Sequence, residues 1–293
     1  MEPDPRVAAA LAYEASTGRL LALGGTAGDG SSLQDFWSWD GTWRQITATP
    51  QPIRDYNTVM VYDPVREATI VPPGPDKLTW LWKGGSWTAV SAGVPTLTFQ
   101  GNQTAVFDTQ RKQVVLVGSG ANGEAVFTWT WDGSLWREAK SATVPPPRAG
   151  SAVAYDEVSN RVLLFGGYYG EGQALQDTWA WDGSSWTELH PPTTPTSGLA
   201  YSAYDAVNGN VVLVTVQDGA TWTWSGTDWI KVAPTHSPKP RLLARMLFDA
   251  ALGEIVLFGG KTTPAGPSDS EHLTNEIWAW NGRDWVLLAG HEM

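Results

Sequence analysis

Four arginines recur at one place in a repeating pattern: Arg6, Arg54, Arg148 and Arg241. Arg6, Arg148 and Arg241 stand eight residues before an acidic residue, and Arg54 stands nine before one. Gln100 and Ser197 hold the corresponding places in two further copies. Brought together, such guanidinium groups would hold a carboxylate, sulfate or phosphate through planar bidentate donors. The structural alternative is that each arginine bonds the carbonyls of neighbouring loops. His190, His236, His272 and His291 could supply a metal ligand or an acid–base group. No pair of them has ligand spacing, so no metal and no cofactor is expected. Tyr56, Phe99, Tyr168, Tyr169 and Tyr201 offer aromatic contact surface. Tyr168-Tyr169, directly after Gly166-Gly167, is the foremost candidate pair.

Acids are the remaining reactive class. Of 30 acids, 12 fall at repeated positions, among them Glu14, Asp63, Asp108, Asp156, Asp205 and Asp249 after one strand, and Asp35, Asp177 and Glu276 before another. Asp is a common turn starter, so these read as structural. A glycosidase pair could be drawn from Asp29, Asp55, Asp76, Glu124, Glu171, Asp269 and Glu271, but sequence supplies no separation between carboxylates. Cysteine is absent, which removes disulfides, thiolate metal sites and cysteine nucleophiles. A net charge of −11 disfavours a nucleic-acid partner. No apolar run approaches membrane-spanning length, so no membrane partner is expected either.

The elements that must position these residues come from a repeat. Six segments match: FWSWDGTW (36–43), TWLWKGGSW (79–87), TWTWDGSLW (128–136), TWAWDGSSW (178–186), TWTWSGTDW (221–229) and IWAWNGRDW (277–285). Three tryptophans in each of six copies account for all 18. Each copy has an upstream half such as AVAYDEVSNRVLLFGG (152–167), with an apolar strand on either side of a turn. The unit is therefore four short strands, A to D, with a tight C–D turn signalled by Asp-Gly, Gly-Gly or Asn-Gly. Six such units predict an all-β, six-bladed β-propeller, since a ring protects strand edges that an open sheet would expose. The expected blades are 5–47, 54–91, 101–140, 148–190, 198–233 and 241–289. Trp179 and Trp181 share one face of strand C, while Thr178 and Ala180 form a smaller face that can receive the next blade. Burying one Trp removes ~150–250 Å² from water, at most ~4–6 kcal/mol. The third Trp of each copy is expected to cover the outer edge. Each copy is complete in itself, so no strand exchange across the closing pair is expected.

The aromatic-Asp pair, the strand ending in Gly-Gly (Gly24-Gly25, Gly166-Gly167, Gly259-Gly260) and the TWxWDG string together resemble the Kelch repeats, in a tryptophan-rich bacterial form. Copies two, three and five lack the Gly-Gly pair. The resemblance implies that strand A is innermost and D outermost, which would bring the arginines near the axis. The copper chemistry of the galactose-oxidase type within this family needs a Tyr–Cys cross-link, and a chain without cysteine cannot form one. WDGxxW is also similar, locally, to repeats of fucose-binding propeller lectins.

Antiparallel alternation puts the D–A and B–C loops on one rim and the A–B and C–D turns on the other. The first rim is long and variable and should carry the function. The expected site is Arg6, Arg54, Tyr56, Gln100, Arg148, Tyr168, Tyr169, Tyr201, Arg241 and His236 on that rim. The expected function is non-catalytic binding of a protein loop or an acidic glycan by a monomer. The alternatives are a carbohydrate-active enzyme on the same rim and a multivalent lectin using tryptophan clefts. An extracytoplasmic or secreted setting is expected, although no signal peptide is legible.

Overall fold

The computed structural model describes residues 2–52, 58–74, 76–91, 103–119, 125–170, 172–196, 198–262 and 272–291. Six four-stranded antiparallel sheets each take their strands in chain order, from A to D. Nothing helical occurs among the described residues, and the chain is a six-bladed β-propeller. The A strands are Ala10–Glu14, Val61–Asp63, Thr104–Asp108, Ala152–Asp156, Ala200–Asp205 and Arg245–Asp249. No sheet borrows a strand from another blade.

Packing follows the period-two pattern of strand C. The tryptophans of each blade face the preceding blade. Trp129, Trp131 and Trp136 of blade three pack on Val59, Val61 and Ile70 of blade two. Trp37, Trp39 and Trp43 of blade one pack on Val256, Phe258 and Ala279 of blade six, which closes the ring. Every Trp is buried except Trp278, which is half-buried.

The third Trp goes further than covering an edge. Its indole N–H crosses the blade boundary to the Thr that precedes the first Trp of strand C in the preceding blade. Trp136 donates to Thr79, Trp186 to Thr128, Trp229 to Thr178 and Trp285 to Thr221, all at 2.8–3.0 Å. At the two boundaries of blade one this Thr is replaced by Ile277 and Phe36. Aromatic contacts of Trp43 with Phe258 and of Trp87 with Phe36 take its place there.

The acids after strand A close the A–B turns, as their sequence position implies. Asp205 accepts the backbone N–H groups of Val207 and Asn208, and Asp249 those of Ala251 and Leu252. The aromatic before each acid reaches toward the preceding blade. Tyr62 accepts from Ser16 N–H and Tyr155 from Gln110 N–H.

The chain ends meet at blade six. Asn275 donates to Pro3 O, and its side-chain oxygen accepts from His291 N–H. Arg6 N–H donates to Thr274 O and Gly260 N–H to Arg6 O, so the N-terminal segment adds backbone bonds to the closing seam.

Tyr168 and Tyr169 lie within strand B of blade four (Arg161–Tyr169), not in a loop after it. The register shifts between Phe165 and Gly167, and the pairing then continues from Tyr168 with Ala174 to Tyr169 with Gln173. Gly166 and Gly167 make this bulge possible, with φ of 65° and 103°.

Candidate ligand-binding site

Three of the recurring arginines fold inward on their own blades. Arg148 donates from Nε to Pro146 O, from Nη1 to Gly166 O and Asp177 Oδ1, and from Nη2 to Asp177 Oδ2. The two ion-pair distances are both 2.7 Å. Arg6 repeats the arrangement with Asp4 O, Gly24 O and Asp35, and Arg241 with Lys239 O, Gly259 O and Glu276. All three arginines are buried. The same acids accept the first indole of strand C, from Trp37, Trp179 and Trp278. Burial alone would raise the Asp177 carboxyl. The hydrogen bonds from Arg148 and Trp179 and the Arg148 charge outweigh it, and the pKa lies below the ordinary 3.8. Asp35 is lowered against its burial in the same way by Arg6 and Trp37. These guanidinium groups therefore clamp strand A, the Gly-Gly bulge and the start of strand C together. Most of their donors are spent on the protein itself.

The remaining expected residues separate. Arg54, Tyr56 and Gln100 lie outside the described residues. His236 is exposed and bonds Asp284 of the C–D turn of blade six through both backbone N and Nδ1, at 2.7 and 2.8 Å. The D–A segment of blade five thus fastens an outer turn, and His236 is not brought to the arginines. Tyr201 donates to Arg241 O and accepts from Ala244 N–H, bridging blades five and six. Burial pushes its phenol up to about 12. Tyr168 is half-buried and pairs through its backbone with Ala149, while Tyr169 is 48% exposed. Asp76, grouped by sequence with the free rim acids, accepts from Leu78 N–H and from the Trp80 indole. Among the described residues no group of three His, Asp or Glu side chains could hold a metal ion.

What the A strands do bring together is an axial cavity of about 430 Å³. Its wall includes Leu11, Met60, Val106, Met246 and Leu247, one or two residues from each of four blades. Toward the turn rim it is ringed by Tyr13, Tyr62, Phe107, Tyr155, Tyr204 and Phe248, the aromatic before each A-strand acid. Toward the loop rim it is lined by Ser151, Tyr201 and Arg245. Arg245 opens strand A of blade six. Its only bond in the described structure is a long one, 3.4 Å, to Ala244 O. Among the described residues it pairs with no carboxylate. Desolvation pulls its guanidinium down from the ordinary range, with Tyr201 acting weakly the other way, and it remains charged at neutral pH.

Sequence reasoning missed Arg245. The signal was present in RMLFD (245–249), where the other copies carry Ala10, Val59, Thr104, Ala152 and Tyr201 at the same distance from the acid. One charged residue among uncharged equivalents on the innermost strand marks the axis.

No protein-family model and no curated protein matches the chain. Among solved structures, YjhT matches with a TM-score of 0.63 and 13% identity, over 98% of this chain and 98% of that one. An arginine-to-alanine triple variant of AofleA from Arthrobotrys oligospora matches with a TM-score of 0.56 and 15% identity, over 99% of this chain and 88% of that one. At such identities the likeness is one of fold.

Proposed function

We propose that the protein is a non-catalytic binding scaffold of the Kelch type, engaging an acidic protein loop or an acidic glycan from its loop rim. The observation that carries this reading is the axial cavity, about 430 Å³ in volume, with the cation of Arg245, which pairs with no carboxylate among the described residues, at its loop-rim side. Ligand sites are concave, mostly apolar and furnished with a few placed polar groups. Catalysis by acid and base would need titratable groups converging on one point. The described acids near the rim are instead engaged in turns or clamps. Tyr169, exposed on the hairpin of blade four, is a further contact residue in this reading. The tryptophans support a structural role, since burial between blades leaves no free indole face for stacking a sugar.

The test is a screen of the chain against acidic peptides and an acidic-glycan array, beside Ser151→Trp, which narrows the loop-rim mouth. A ligand whose affinity falls at least tenfold in the variant supports the reading. A ligand bound equally by both proteins lies off the axis. Turnover of a bound sugar would replace the scaffold reading with the enzyme one.

A further inference from the structure

We propose that Arg245 anchors the ligand inside the axial cavity, and that the ligand group is a single carboxylate carried on an apolar body. The inference rests on the axial cavity being the binding site.

The contrast among the arginines carries it. Arg6, Arg148 and Arg241 each meet a carboxylate from their own blade at 2.6–2.8 Å. Arg245 is half-buried at the cavity, yet no described acid faces it. A desolvated guanidinium without a counterion is unfavourable until an anion arrives. The cavity supplies none nearby. The one acid in its described lining, Glu157, follows strand A of blade four and so belongs to the turn rim, at the far end from Arg245.

The wall sets the rest of the ligand. From Arg245 inward the lining is mainly apolar, with Leu11, Met60, Val106, Met246 and Leu247 beside the polar Gln103, Thr104 and Ser202, before the aromatic ring begins. A sugar with many hydroxyls would find only these few polar groups there, and each hydroxyl left without a partner costs free energy. A methylene chain or an aromatic ring loses nothing and gains apolar burial. The net charge of −11 also acts against a polyanion approaching the molecule, whereas a lone carboxylate meets Arg245, the one cation among the described residues lining the cavity. The strand that carries Arg245 is fixed at its entry, because Tyr201 ties both Arg241 O and Ala244 N–H on the segment leading into it. The volume accommodates either a small organic acid or a Glu or Asp side chain with its apolar neighbours.

Isothermal titration of the whole chain tests this with paired probes. 4-Phenylbutyrate is compared with 4-phenylbutyramide, and acetyl-Leu-Glu-Leu-amide with its Gln counterpart. Glucuronate serves as the polar acid. Each is titrated into wild type, Arg245→Gln and Arg245→Lys. At least one acid should bind tenfold or more tightly than its amide, and Arg245→Gln should erase that difference while leaving the amide unchanged. Arg245→Lys, which keeps a point charge without the fork, should fall between. If Arg245→Gln fails to fold, the acid–amide ratio in wild type and the Lys variant decide. Preference for phenylbutyrate marks a free organic acid as the ligand, and preference for the peptide marks a protein loop. An amide bound as tightly as its acid overturns the carboxylate inference and leaves the cavity reading standing. Glucuronate bound in place of the apolar acids overturns the apolar body. Silence from every probe overturns both.

Discussion

Arg148→Met isolates the clamp that joins strand A, the Gly-Gly bulge and strand C of blade four. The substitution keeps much of the apolar stem and removes the bidentate pair to Asp177 along with the bonds to Pro146 and Gly166 carbonyls. Breaking a buried pair by removing one partner typically costs about 3–5 kcal/mol. The Asp177 side chain is 20% exposed and keeps its Trp179 bond, which places the expected loss near the lower figure, about 3 kcal/mol. The pH dependence follows from the carboxyl. In wild type its folded pKa lies below 3.8, so its contribution is present above that pH and lost as pH falls through the folded value. In the variant, burial acts without the guanidinium, the folded pKa rises, and protonation relieves the stranded charge. The deficit should therefore shrink by about 1 kcal/mol or more between pH 7 and pH 4. Urea unfolding followed by tryptophan fluorescence reads both numbers, with Asp177→Leu added to the variant as the coupling control. A deficit under about 1 kcal/mol, or one unchanged at pH 4, would refute the account of the arginine as a charged clamp.

Other perturbations have equally definite outcomes. Thr128→Val strands the Trp186 indole N–H between blades three and four and should cost about 1–3 kcal/mol in urea unfolding. Gly167→Ala places a methyl 2.9 Å from Ala149 O at a φ of 103°, and a thermal melt should show a loss of at least about 2 kcal/mol. Arg245→Met, without ligand, should leave stability unchanged or raise it by about 1–2 kcal/mol, since it removes a cation that pairs with no carboxylate among the described residues. Tyr201 has a folded pKa of about 12 against an ordinary 10.0, so its contribution is complete below pH 10 and is lost as pH rises toward 12. Tyr201→Phe should remove that alkaline loss from the stability profile, and tyrosinate absorbance should show one fewer late-titrating phenol.

The propeller was legible because WxW repeats at strand period and recurs six times, and only a ring buries both faces of such strands. The site was less so. Spacing identified Arg6, Arg148 and Arg241 as equivalent, but their partners stand 29 or 35 residues away, across strand B, in positions that also suit turns. One observation did link them: the copies with Gly24-Gly25, Gly166-Gly167 and Gly259-Gly260 are those with the clamped arginines. Each clamp needs a carbonyl that the bulge turns toward the guanidinium. Arg245 stayed hidden because a strand of alternating apolar residues tolerates one long amphipathic side chain without breaking its pattern. Only the three-dimensional convergence of six A strands turns that position into the wall of a cavity. His236 illustrates the converse, a loop residue whose backbone is recruited to cap a neighbour's turn.

The indole-to-threonine bonds between blades bear on how such a ring could be rearranged. Blades three to six each bring a Trp that requires a Thr behind it, so any of them could follow blade two, three, four or five without stranding a donor. Blade one breaks this interchangeability on both sides. Behind its Trp43 stands Ile277, and it offers Phe36 rather than Thr79 or its equivalents to the blade that follows. In the native ring Trp87 of blade two already packs on Phe36, so a shuffled ring that seated an interior blade after blade one would exchange an indole–threonine bond for that aromatic contact. The four threonine seams are interchangeable fittings, whereas the two around blade one are keyed, and they fix where in the circle the count begins.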